Sequence, residues 1–211
     1  RKFATDYLIM ADMGIKNVFG QIMGICLIGF LSQGCGFSGQ QPDAVNPTLE
    51  TIMSRKSVRQ FQERPVEAEK VDWLLRSAMA APSGKDLRPW SFVVIDQRER
   101  LDSLAEALPT AKMLRQAPMA IVVCGDETRS FYWYLDCSAA AQNILLAAES
   151  LGLGAVWTAT YPYPDRMRIV ADQLALPDRI KSLCVIPVGY PAGETSPKDK
   201  WNEDCIHQNK W

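Results

Sequence analysis

The sequence holds one histidine, His207, in a polar tail four residues from the end. A Ser-His-Asp triad would have to draw its base from that tail, which argues against such chemistry. The six cysteines, Cys26, Cys35, Cys124, Cys137, Cys184 and Cys205, include no CxxC pair. A zinc site needs several thiolate or imidazole ligands at regular spacing, so no metal centre is expected. A surplus of charge is missing as well: 23 Lys and Arg stand against 24 Asp and Glu. Nucleic-acid binding draws on excess cations that displace phosphate counterions, so no nucleic-acid partner is expected. Basic residues must therefore be read locally, as parts of a site. Internal repeats and low-complexity tracts are also absent.

At 211 residues and 47% hydrophobic, the chain can build one domain with a proper core. Its first 45 residues differ from residues 46–211, which read as globular. Val18 to Leu31 is apolar apart from Gln21. That run is shorter than the ~20 residues of a bilayer-spanning helix and has the length of a signal-peptide core. Lys16 precedes it, and Leu31-Ser32-Gln33-Gly34-Cys35 ends it. The segment resembles a bacterial lipoprotein signal with Cys35 as the acylated residue. Its Leu lies one position too far from the Cys, and Asp6 and Asp12 depart from such a start. The other reading is an N-terminal helix packed on the body. The signal would anchor the protein to a membrane through Cys35 on the periplasmic side; without it a cytoplasmic location is expected.

Beyond Asn46 the pattern alternates between helix and strand. Thr48 to Arg55 reads as a short helix. Val71, Leu74, Leu75, Ala78 and Met79 recur at helical spacing, which predicts a helix from Pro65 to Ala80. Pro82 and Gly84 stop it. Ser91–Asp96 and Met119–Cys124 are short apolar runs expected as buried strands, with a helix over Arg98–Leu108 between them. Tyr132–Leu151 is a long helix whose alanines let another helix approach closely. Gly154–Thr158 reads as a strand, Asp165–Leu174 as a helix and Leu183–Gly189 as a buried strand. The polar tail after Tyr190 carries Trp201, Ile206 and Trp211, which suits an arm lying on another surface. The alternation predicts a three-layer sandwich around one sheet.

Four short pieces carry polar chemistry. Arg55-Lys56-Ser57-Val58-Arg59 puts three cations and a hydroxyl within five residues. In an extended stretch Arg55, Ser57 and Arg59 would share one side and hold a phosphate, although a solvated basic turn is the commoner use of such a run. Ala81-Pro82-Ser83-Gly84-Lys85-Asp86-Leu87-Arg88-Pro89-Trp90 is either a rigid loop exposing backbone groups or a plain helix-to-strand connector. Leu151-Gly152-Leu153-Gly154 joins helix to strand, the reverse of a dinucleotide fingerprint and one glycine short of it. Gly152 equally suits a helix C-cap. Lys198 and Lys200, two apart in an extended tail, could face one anion.

Taken together, the order and spacing of these pieces resemble the nitroreductase family over about Pro47 to Trp211. That family shows an Arg-(basic)-Ser-x-(basic) motif, a Pro-Ser loop ending in Pro-Trp, a Leu-Gly-x-x-x-Val/Trp turn, then Pro-Val-Gly-Tyr-Pro and a basic tail. The resemblance implies an α+β fold, a three-layer α-β-α sandwich with a central mixed sheet flanked by helices. It also implies a homodimer with an exchanged C-terminal arm and non-covalent FMN at the subunit interface. Arg55, Lys56 and Ser57 match positions that grip the phosphate and ribityl chain, with Lys198 and Lys200 closing over the phosphate. Arg59 matches the basic residue near flavin N1 and O2, where a cation would stabilise the reduced ring. Pro82 and Ser83 match the loop beside the ring. Trp157, Thr158, Ala159 and Thr160 match the segment covering one ring face, with the Ala159 and Thr160 N–H groups serving N5 and O4.

One motif departs from the family, whose Asn-x-Gln-Pro-Trp is here Asp86-Leu87-Arg88-Pro89-Trp90. Asp86 could still accept the flavin N3–H, and its charge would be offset by Arg88. The implied activity is ping-pong: NADH or NADPH gives hydride to the flavin, then a small aromatic acceptor such as a nitroaromatic or quinone takes the electrons. Two other readings stand beside it. One is a specialised flavin enzyme of the same fold, fragmenting flavin or removing halogen; the other is a lipid-anchored flavin-binding module without turnover.

Overall fold

The computed structural model describes residues 46–211; the Val18–Leu31 run and Cys35 lie outside them. The elements are α1 (Pro47–Ser54), α2 (Ala68–Met79), β1 (Trp90–Ile95), α3 (Arg98–Ala107), β2 (Met119–Asp126), α4 (Trp133–Ser150), β3 (Gly154–Ala155), β4 (Thr158–Ala159), α5 (Pro164–Leu174) and β5 (Ile180–Gly189). No helix among the described residues is long and apolar enough to cross a membrane.

The strands form one sheet in the order β1-β2-β5-β3, with β4 also on β5. All of these pairings are antiparallel, and the parallel element is a single bridge between Ser57 and Ala155. Side chains alternate across β2 as a pleated strand requires. Met119, Ile121 and Val123 pack toward α2 and α4, whereas Ala120, Val122 and Cys124 pack with α3 and Val170 of α5. Helices thus cover both faces, which is the expected three-layer arrangement. β2 reads as a continuous apolar run because neither of its faces meets water.

β1 was expected to be buried but forms the sheet's edge, where only Ile95 is buried and Val94 is exposed. The expected Gly154–Thr158 strand is two short pieces, β3 and β4, separated by Val156 and Trp157. Helix α2 starts at Ala68 rather than Pro65. Glu67 is extended there, its carboxylate held by the Tyr190 hydroxyl at 2.6 Å and by Arg64 at 2.8 Å. Those bonds fasten the chain ahead of α2 to the end of β5.

Helix α4 is the central element. Trp133, Cys137, Ala140, Ala141, Ile144, Leu145 and Ala148 fall on its buried face at helical spacing. Asn143 donates to the Ser77 carbonyl at 2.9 Å, which ties α4 to the last turn of α2. At the far end, Gly152 adopts φ +71°. Leu153 N–H donates to Ala148 O and Gly152 N–H to Glu149 O, the two bonds of a left-handed helix stop. Two residues later, a Cβ on Gly154 would lie 2.6 Å from Val58 Cβ. The absence of that side chain lets the 55–61 segment lie against β3.

Candidate cofactor-binding site

The basic segment is extended beside β3. Val58 N–H donates to Ala155 O at 3.0 Å, and Ser57 bridges Ala155. Val58 is buried, while Ser57 and Arg59 are exposed. The alternation puts Arg55, Ser57 and Arg59 on the side opposite Val58. Lys56 falls on the inner side. Its ammonium lies 2.7 Å from Glu149 of α4, with both side chains mostly buried, so the protein already holds this cation. Three donor groups remain for an anion: the guanidinium forks of half-buried Arg55 and exposed Arg59, and the exposed Ser57 hydroxyl.

The Trp157–Thr160 segment runs along the same edge. Thr158 and Thr160 point into the protein, their hydroxyls donating to the Val185 and Ser182 carbonyls at 2.6 and 2.9 Å. The sheet also engages the Thr160 N–H, which was expected to serve a flavin: it donates to Leu183 O at 3.0 Å. The cause is a bulge in β5, where Val123 pairs with Cys184 but Cys124 pairs with Ser182. Leu183 is the extra residue, and its carbonyl accepts from both Thr160 and Tyr161. Trp157 and Ala159, partly exposed, are what this segment offers to a ligand.

The Pro-Ser loop is seated on the start of α4. Ser83 Oγ donates to Asp136 Oδ2 at 2.9 Å, and Gly84 N–H donates to Asp136 Oδ1 at 3.0 Å. Ser83 Oγ in turn accepts the Arg88 N–H at 2.8 Å. Between these bonds Lys85, Asp86 and Arg88 take positive φ values of 53°, 55° and 48°. Each such conformation in a non-glycine residue costs on the order of 1–3 kcal/mol, so the loop's shape is imposed by its surroundings. Arg88 grips Asp86 with two bonds of 2.6 Å. That guanidinium holds the Asp86 carboxyl below its ordinary pKa, so the motif's departure from the family carries its own counter-charge.

Asp136 and Glu149 are the residues that sequence reasoning passed over. The available signal for Asp136 was one acid inside the apolar start of a helix, Trp133-Tyr134-Leu135-Asp136-Cys137. The two anchor separate parts of the site. Asp136 holds the Pro-Ser loop and Glu149 holds the basic segment, thirteen residues apart on one helix. At 1.5 Å per residue that is roughly 20 Å. Lys198 and Lys200 lie on an exposed tail, with Trp201 and Trp211 also exposed, and the tail touches the body through Ala192 N–H to Gln60 O.

A family model described as the nitroreductase family matches residues 52–190. A protein of Methanothermobacter thermautotrophicus, provisionally named NADH dehydrogenase/NAD(P)H nitroreductase, is 45% identical over 166 residues, 77% of this chain and 87% of its own. A solved structure from Bacteroides thetaiotaomicron with the same provisional name is 62% identical, with a TM-score of 0.79 over 80% of this chain and 100% of that one. An FMN-dependent nitroreductase of Clostridium difficile is 30% identical, with a TM-score of 0.74 over 77% of this chain and 99% of its own. The matched stretch takes in the basic segment, the Pro-Ser loop and the Trp157–Thr160 edge, which are the parts that geometry singles out. On these grounds the chain belongs to the nitroreductase family.

Proposed function

We propose that the protein is an FMN-dependent oxidoreductase that takes electrons from NADH or NADPH and passes them, in alternating half-reactions, to small aromatic acceptors such as nitroaromatics or quinones. The observation that carries this reading is the Ser57–Ala155 bridge. It sets the outward donors Arg55, Ser57 and Arg59 beside Trp157 and Ala159, a phosphate grip next to a flat apolar shelf. That donor set suits one terminal phosphate, and the described residues hold no Gly-rich loop for a pyrophosphate, which favours FMN over FAD. Bound FMN would supply the hydride and electron transfer, for which no acid or base from the protein is needed. The protein's own part is to bind and orient. Arg55 and Ser57 hold the phosphate, Arg59 lies toward the ring, and Trp157 and Ala159 keep water from one ring face. Asp86 accepts a ring N–H while Arg88 offsets its charge.

The working unit in this reading is a homodimer. The anchors of the two site halves lie roughly 20 Å apart along α4, which favours a ring that meets the loop of one copy and the basic edge of another. Helix α1 supports this, since none of its residues is buried while Leu49, Ile52 and Met53 are exposed on it. The tail after Pro191, with Lys198 and Lys200, would then embrace the partner and close over the phosphate.

The test is a visible spectrum of the purified protein, release of the chromophore with acid and its identification by mass, then NADH and NADPH oxidation with a nitroaromatic acceptor. FMN and turnover are expected. FAD, or no flavin after incubation with FMN, overturns the reading. FMN without turnover would instead leave a binding module.

A further inference from the structure

We propose that Asp136 is the positioning residue of the Pro-Ser loop, the group that holds this loop in the shape that meets the flavin. The inference rests on the FMN reading above and adds a residue to it. Asp136 is buried, with 6% of its surface exposed. It lies in the first turn of α4, where the helix dipole favours a negative charge. Its oxygens nevertheless leave the helix: one takes the Ser83 hydroxyl and the other takes the Gly84 N–H. Among the described residues no cation pairs with it, so its bonding is directed at this loop.

The loop needs such an anchor. Three of the four residues from Lys85 to Arg88 are left-handed without being glycine, a conformation that L residues rarely adopt and here hold almost in succession. The bonds run in series: Asp136 fixes Ser83, and Ser83 Oγ fixes the Arg88 N–H. The strained turn is thus closed at both ends by groups that depend on one carboxylate. A Cβ at Gly84 would come 3.3 Å from Tyr132 Cδ2, so the loop is also pressed onto the first turn of α4. The Asp86–Arg88 pair spans the left-handed positions, so releasing the loop moves that charge pair relative to the ring. Ser83, which the family resemblance places beside the ring, then acts as the middle link of the clamp.

The experiment uses the full chain and Asp136→Asn, which keeps the volume and removes the charge. Three quantities are read: hydrogen exchange of the Gly84 and Arg88 amides without FMN, the FMN dissociation constant, and the midpoint potential of the bound flavin. In Asp136→Asn both amides should exchange about tenfold faster or more, and the dissociation constant should rise about tenfold, as for the loss of one charge-assisted bond. The potential should shift as well. Ser83→Ala should act in the same direction, and the double variant should be no worse than Asp136→Asn, because both cut one series of bonds. Val170→Ala, a cavity on the opposite face of the sheet, should lower the melting temperature and leave FMN affinity and potential alone. Unchanged exchange and affinity in Asp136→Asn overturn the proposal while the FMN reading stands. Absence of FMN binding by the unmodified protein overturns that reading and the flavin role with it, and the exchange measurement then decides the clamp by itself. If Asp136→Asn does not fold, Ser83→Ala carries the same three readouts.

Discussion

Among single residues, pairing separates the cations that serve the fold from those left for a ligand. Lys56 and Arg55 are neighbours in one basic run, yet Lys56 is paired with Glu149 and Arg55 is on the outward side. Arg55→Ala should therefore weaken FMN binding about tenfold or more, since a charge-assisted bond to phosphate is worth roughly 1.5–3 kcal/mol. Titration with FMN checks this, and unchanged affinity would put the phosphate elsewhere. A second prediction concerns Glu67. The Tyr190 hydroxyl, with further help from Arg64, lowers its pKa from the usual 4.5 to about 2. A carboxyl depressed in the folded state stabilises the fold above the ordinary value and loses that contribution as pH falls through about 2. Tyr190→Phe removes the leading cause. The Glu67 carboxyl should then titrate at higher pH in an NMR titration, and the acid-unfolding midpoint should move up.

Elements show how neighbouring glycines can have different reasons. Gly152 has open space where a Cβ would go, and its demand is its left-handed φ of 71°. Gly154 has an ordinary φ but no room, with Val58 atoms at 2.6 to 2.8 Å from a built Cβ. Gly152→Ala should cost about 1 kcal/mol, read as a drop in melting temperature with FMN affinity retained. Gly154→Ala should cost about 1–3 kcal/mol and push the 55–61 segment off β3, so FMN affinity should fall with it. Equal effects of the two changes on FMN affinity would refute the close-packing argument. The helices and most strands were legible because their apolar spacing follows backbone periods. The edge position of β1 was not, since an apolar run looks alike whether one neighbour flanks it or two. The division of Gly154–Thr158 was hidden for a related reason: the bulge that bends the pairing lies in β5, some 25 residues away.

For the whole molecule, a complete core coexists with an arm that does not join it. The described core closes with β5, while Trp201, Ile206 and Trp211 remain exposed. A truncation after Pro191 should fold but lose dimerisation and FMN together, because the apolar arm and Lys198 and Lys200 leave in one piece. Sedimentation of both forms decides it. A monomeric full-length protein that still holds FMN contradicts the dimeric site.

The sequence by itself determined the layer order of helix and strand, the family, and the short motifs from which a site could be assembled. Local spacing and residue chemistry act over a few residues, and both survive in a linear reading. Only the tertiary structure decided which of those groups were already engaged. Lys56 looked like a ligand donor until Glu149, 93 residues away, was placed beside it. The Ser83 hydroxyl looked unengaged until Asp136, 53 residues away, was placed beside it. The Thr160 N–H looked free until the bulge at Leu183 turned a carbonyl toward it. A hydrogen bond or ion pair depends on distances of about 3 Å in space, and sequence separation carries no record of them.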